Sequence, residues 1–209
     1  MTGFKRREDL HLVRKLWHAL GIVLMLVIYH NTSEQVSILI VLTCLVVIAP
    51  LDILRRFHRP LNKFVIKIFG PFMRQDETHQ ISGLTFLLLG SLFLLCIYPR
   101  PIITLTLLLQ AFADPSASLV GLLYGKNKIV GKKSLQGSLG AFVVCLLVSF
   151  GFYLSKNIMT DRLVLVSLLT GIMGSISELI PVGRLDDNLT FPVICSGLLW
   201  VLFMMFGGL

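Results

Sequence analysis

The chain has 209 residues, 55% of them hydrophobic and only 14% charged, where a soluble domain carries about a quarter charged residues. That composition excludes an ordinary water-soluble domain and makes lipid the expected solvent. The net charge of +8 arises from 19 Lys and Arg against 11 Asp and Glu. These charges lie in short loops between apolar runs, which fits membrane topology and anionic ligands better than nucleic-acid binding.

A hydrocarbon core of roughly 30 Å needs about 20 helical residues. Apolar stretches of that order fall at about 14–30, 36–54, 81–98, 101–124, 138–155, 161–180 and 189–209. They predict an all-α integral membrane protein of about seven transmembrane helices, forming a single domain over residues 1–209. The four cysteines (Cys44, Cys96, Cys145, Cys195) each lie inside an apolar segment with no metal-ligand spacing, and read as small buried thiols.

The first stretch, "KRREDLHLVRKLWHALG", puts basic residues before an apolar run, with no small-residue cleavage site after it. It is expected to be a retained first span. Within it Arg14, His18 and Gly21 fall at i, i+4 and i+7 and share a helix face. Lys15 and Trp17 point elsewhere and read as a snorkelling, interfacial flank.

Residues 55–80 do not read as a span. Phe64, Ile68 and Phe72 recur every four residues with Arg59, Lys63 and Lys67 between them. This predicts an interfacial amphipathic helix, broken at Gly70-Pro71. Arg74 and Glu77 precede the third span, where a solvated charge run is the simplest account; Gly83 and Gly90 open that span's face.

The fourth apolar stretch contains Asp114, a carboxylate at a depth where charge costs several kcal/mol on insertion scales and normally faces protein or water. Asp114, Ser118, Gly121 and Gly125 recur on one face, and Pro115 frees a carbonyl one turn earlier. The following loop offers Lys126, Lys128, Lys132, Lys133 and Ser134, with Gly125, Gly131, Gly137 and then Ser138. Lysines and backbone N–H groups in such a loop suit a polyphosphate. The loop is not a Walker A motif: five residues separate its glycines, and its flanks are apolar helices.

In the sixth stretch Gly171, Gly174, Ser175 and Glu178 share a face, and Asp187 and Asn188 open the seventh, where they are expected to cap it. Asp114, Glu178, Asp187 and Asn188 together supply hard oxygen ligands of the kind Mg²⁺ takes beside phosphate oxygens. With the N-terminus cytoplasmic, only Arg100, Lys156 and Arg162 of the 19 basic residues lie outside. The positive-inside rule therefore favours that orientation, and all four polar clusters fall at cytoplasmic helix ends.

In order and spacing the blocks "RKLWHALG", "RQDETHQISGLTFLLLG", "FADPSASLVGLLYGKNKIVGKKSLQGS" and "ELIPVGRLDDNLTFP" resemble the polyprenol kinase family. That family includes dolichol kinase, phytol kinase and the CTP-dependent diacylglycerol kinase of yeast. The third block is the most specific, carrying the family pattern on Asp114, Ala117, Gly121, Gly125-Lys126, Lys133-Ser134 and Gly137-Ser138, and departing from it at Gln136, where the family often has Glu.

The resemblance implies an integral membrane kinase, active at the cytoplasmic face of a bacterial inner membrane or of an equivalent ER or plastid membrane. It would move the γ-phosphoryl of a nucleotide, typically CTP, to a lipid alcohol (an isoprenoid alcohol or diacylglycerol) with Mg²⁺ or another divalent ion. The lysine loop would hold the triphosphate, with Arg14 and Arg74 on phosphates. Asp114 and either Asp187 or Glu178 would hold the metal. Another carboxylate or His18 would take the hydroxyl proton. Two other readings fit less of the sequence. A phosphatidate cytidylyltransferase shares CTP and Mg²⁺, but its characteristic C-terminal run is missing here. A small transporter would place polar groups near the midplane, often within inverted repeats.

Overall fold

The computed structural model describes residues 6–73, 80–131, 133–183 and 185–208. Helices form in all seven expected segments: α1 (Arg6–Asn31), α2 (Glu34–Phe57), α4 (Gly83–Ile97), α5 (Arg100–Tyr124), α6 (Leu135–Lys156), α7 (Leu163–Leu179) and α8 (Asp187–Phe206). The expected amphipathic helix is α3 (Arg59–Phe69), closed by a 3-10 turn at Gly70–Phe72. The lysine loop is not wholly irregular, because two short antiparallel strands, β1 (Lys128–Val130) and β2 (Lys133–Ser134), pair within it.

Local chemistry sets most of the boundaries. Ser33 caps α2 by accepting from the Val36 N–H, and Ser134 caps α6 by accepting from the Gly137 N–H at 3.2 Å. At α8 the cap is Asp186, which accepts from the Asn188 N–H at 3.0 Å, so the expected cap at Asp187 and Asn188 is corrected by one residue. Asp187 is thereby the first helical residue, and it lines the interior cleft. Gly207 closes α8 with φ +74°, a left-handed conformation that suits glycine.

Among the described residues, five helical segments (α2, α5, α6, Thr160–Leu179 and α8) are long and apolar enough to cross a membrane. α4 is apolar but has 15 residues, which at 1.5 Å per residue reach about 22 Å, short of the hydrocarbon core. α1 is not among the five. Its 26 residues carry Arg14, Lys15 and His18 within the helix. Large apolar side chains such as Leu39, Val46, Leu147, Leu154 and Met204 point outward more than half exposed, as a lipid-facing surface requires. Cys145 and Cys195 are buried, but Cys44 and Cys96 lie on that outer surface, against the expectation of four buried thiols.

α5 is the central helix, with Ile102 through Leu107 all buried, and it packs against α1, α6, α7 and α8. Pro115 lies inside α5 without ending it. Small residues allow the closest crossings. A Cβ on Gly90 of α4 would come within 2.7 Å of Pro192 Cγ and 2.8 Å of the Asn188 carbonyl oxygen on α8. One on Gly137 would meet the Ala117 carbonyl at 2.7 Å, and one on Gly174 would meet Cys145 Sγ at 2.7 Å. By contrast Gly21 has open space around it, and the packed face of α1 runs instead through Arg14, Lys15, His18 and Ile22.

Candidate functional site

A polar cleft forms where α1, α5, α7 and α8 meet the start of β2. Lys15 and His18 come from α1, Gln110 and Asp114 from α5, Lys133 from β2, Glu178 from α7, and Asp187 and Asn188 from α8. Arg14 borders the same space and is 7% exposed. The enclosed volume is small, about 20 Å³.

Two lysine–carboxylate pairs close it. The Lys15 ammonium is ion-paired with the Asp114 carboxylate and also reaches its carbonyl oxygen at 3.4 Å. Lys133 Nζ lies 3.1 Å from Glu178 Oε1 and donates to the Glu178 carbonyl oxygen as well. A cation at this carbonyl, one residue from the end of α7, also complements the helix dipole. Glu178 is buried at 7% exposure, so its carboxylate depends on that lysine for charge balance. Gln110 donates to the Asn188 carbonyl at 3.3 Å, tying α5 to the first turn of α8.

His18, Asp114, Lys133, Glu178, Asp187, Asn188 and Arg14 are therefore brought together from the residues the sequence singled out. Arg74, Glu77 and Lys132 lie outside the described residues. The others are placed elsewhere. Lys126 and Lys128 are exposed on the hairpin. Ser134 is spent on the α6 cap, and the Ser138 carbonyl accepts from Ser175 Oγ at 2.9 Å. Gly121, Gly125 and Gly137 surround Ser134 Oγ, so their small size serves the crossing of α5 and α6. Ser118 is half-buried and does not line the cleft. Gln136, the departure from the family pattern, accepts from the backbone N–H groups of Lys126 and Asn127 at 3.1 and 3.3 Å. It holds the entry to the hairpin through its amide oxygen, an acceptor that a carboxylate would equally supply.

Among the described residues no three His, Cys, Asp or Glu side chains converge as a ready-made metal cage, so the set Asp114, Glu178 and Asp187 is not preassembled. Asp114 and Asp187 nevertheless share the cleft with the Asn188 amide. One or two carboxylates completed by phosphate oxygens are what Mg²⁺ ordinarily takes, and this donor set fits that chemistry.

Sequence reasoning missed three features. Lys15 reads in the sequence as part of the flank, yet it sits one turn before His18 and points inward. Gln110 lies one turn before Asp114 on the same face, a spacing visible in the sequence. The third is a buried pair outside the cleft, Asp52 with Arg55, 5% and 2% exposed, whose nitrogen–oxygen distance is 2.6 Å. Asp52 also accepts from the Ser82 N–H at 2.6 Å and Thr85 Oγ1 at 2.9 Å, while Arg55 donates to the Gln80 carbonyl at 2.7 Å. An acidic residue after the apolar run ending "VVIAPL" was the available signal.

This network borders an apolar groove of about 300 Å³ between α1, α2, α3 and the start of α4. His18 lines both the groove and the polar cleft.

Fold and cleft together describe a helical bundle of membrane-protein character that keeps two lysine–carboxylate pairs beside an apolar groove. No family model and no solved structure matches the chain. It is similar to CTP-dependent diacylglycerol kinase 1 of Schizosaccharomyces pombe, with 34% identity over 161 residues, covering 70% of this chain and 72% of the relative. The same-named protein of Eremothecium gossypii is 34% identical over 165 residues, and the chain covers 52% of its length. That of Saccharomyces cerevisiae is 26% identical over 203 residues, covering 88% of this chain and 70% of the relative. The chain belongs to the CTP-dependent diacylglycerol kinase family.

Proposed function

We propose that this protein is a membrane lipid kinase that transfers the γ-phosphoryl of CTP to the hydroxyl of diacylglycerol. The observation that carries the reading is the position of His18, which borders the charged cleft on one side and the apolar groove on the other. A kinase for a lipid acceptor needs a polyphosphate and an apolar tail held on either side of one hydroxyl. The family relationship adds CTP and diacylglycerol, the donor and acceptor in the relatives' names.

Phosphoryl transfer asks a protein for positioning and charge stabilisation more than for covalent chemistry. Lys15, Lys133 and Arg14 are the cations that would take the triphosphate, with the exposed Lys126 and Lys128 guiding it to the cleft. As phosphate oxygens replace Asp114 and Glu178 as the lysines' partners, Asp114 and Asp187 become available to a divalent ion, Mg²⁺ in this reading. That ion would neutralise charge on the phosphate oxygens. The acceptor oxygen attacks the γ-phosphorus, the bond from that phosphorus to the β–γ bridging oxygen breaks, and CDP leaves with the electron pair. His18 receives the hydroxyl proton.

In the membrane, α1 and α4 would complete a bundle of seven spans in one domain, with the bilayer thinning beside the 15-residue α4. The N-terminus and the cleft would lie on the cytoplasmic side with most of the basic residues, and α3 would lie at the interface.

The test is a transfer assay on purified protein with Mg²⁺, diacylglycerol and γ-labelled CTP, ATP, GTP or UTP in parallel. Labelled phosphatidic acid and CDP are expected with CTP. With phosphatidate supplied in place of diacylglycerol, formation of CDP-diacylglycerol with labelled pyrophosphate, and no phosphorylation of diacylglycerol, would move the protein to nucleotidyl transfer and overturn the proposal.

A further inference from the structure

Any apolar groove on a membrane protein meets lipid. This groove is set apart by its walls and by where it leads. Trp17 of α1, Ile48 of α2, Val65 and Phe69 of α3, and Leu84 of α4 give it apolar sides from four elements. Trp17 stacks on Phe72 with ring centroids 4.5 Å apart, which closes the space between α1 and the turn after α3. On α3, Phe64 and Ile68 face outward while Arg59, Lys63 and Lys67 are exposed, the arrangement of a helix lying at a membrane surface.

The polar groups on the groove are of two kinds. Asp52 and Arg55 are engaged with each other, with Ser82 and Thr85, and with the Gln80 carbonyl, and form a satisfied rim. His18 belongs also to the charged cleft with Lys15 and Asp114. The volumes divide the labour: about 300 Å³ of apolar groove takes hydrocarbon, whereas about 20 Å³ of charged cleft does not.

We infer that the groove between α1, α2, α3 and α4 is the acceptor site, seating an acyl chain of diacylglycerol with the free hydroxyl at His18. This rests on the kinase reading for the identity of the acceptor, but its geometry is tested separately. The helix α3 is then one wall of the substrate site as well as an anchor.

The experiment uses the full chain in phosphatidylcholine nanodiscs with Trp200→Phe, which leaves Trp17 as the sole tryptophan. Diacylglycerol with brominated acyl chains is titrated in, and Trp17 fluorescence is read. Saturable quenching that unbrominated diacylglycerol reverses is expected. In parallel, Ile48→Phe and Val65→Phe, which narrow the groove, should each raise the KM for diacylglycerol about 10-fold or more and leave the KM for CTP unchanged. Quenching that grows linearly with brominated lipid and resists competition overturns the groove. So does an unchanged lipid KM in both variants while transfer continues, and in that case the kinase reading survives. Saturable, competed quenching in a protein that transfers from no nucleotide supports the groove and overturns the kinase.

Discussion

Lys15 and Asp114, 99 positions apart in the chain, form an ion pair that joins α1 to α5 inside the polar cleft. Each balances the other's charge in a part-buried setting, and each has the sign required by one half of a metal–polyphosphate substrate. Asp114→Asn should therefore abolish transfer, lowering kcat/KM by about 100-fold or more. The variant should still insert in membranes, because an amide accepts the same lysine hydrogen bond. Label transfer and membrane fractionation check the two halves; normal activity would remove Asp114 from the reaction.

Lys133 separates stability from substrate binding. Lys133→Met leaves the buried Glu178 carboxylate without its lysine, at a cost of about 1–3 kcal/mol. It should also raise the KM for CTP. Adding Glu178→Gln should restore thermal stability in detergent but not the KM. If both recover together, Lys133 only neutralises Glu178.

Asp52 supports the groove without touching the cleft. Asp52→Ala removes the carboxylate that balances the charge of Arg55 and accepts from the Ser82 N–H, both within the buried network, and should cost about 3–5 kcal/mol. Thr85→Val removes one hydrogen bond to the same carboxylate and should cost less, about 1–2 kcal/mol. Thermal unfolding of the two variants side by side tests the ranking.

Two glycines should respond in opposite ways. Gly90→Ala drives a methyl into Pro192 and the Asn188 carbonyl, with a cost of about 1–3 kcal/mol and a loss of activity as the first turn of α8 shifts. Gly21→Ala meets nothing within 4 Å and should be neutral or stabilise by up to about 1 kcal/mol. Thermal midpoints and transfer rates of both variants settle the comparison.

Gln136→Glu should keep activity within about 2-fold, since either oxygen accepts the Lys126 and Asn127 N–H groups. Gln136→Ala should loosen the hairpin and raise the KM for CTP. A large gain on Gln136→Glu would instead give the carboxylate its own part in the reaction.

The sequence by itself determined where the helices form. The length of an apolar run, a capping serine before it and a glycine or proline after it are local signals; Ser33 and Ser134 cap α2 and α6, and Gly125 and Gly207 follow α5 and α8. It also marked Asp114, His18, Glu178 and Asp187, because a charge within a span is conspicuous on its own. Only the tertiary structure decided which charges meet. Lys15 read as a flank because a snorkelling lysine and an inward one have the same neighbours in sequence. Ser134 and Gly125 read as phosphate contacts because nothing local says that α5 and α6 cross there. Pairings such as Lys15 with Asp114 and Asp52 with Ser82 depend on how helices pack, and that is set by small residues such as Gly90 meeting partners about a hundred positions away.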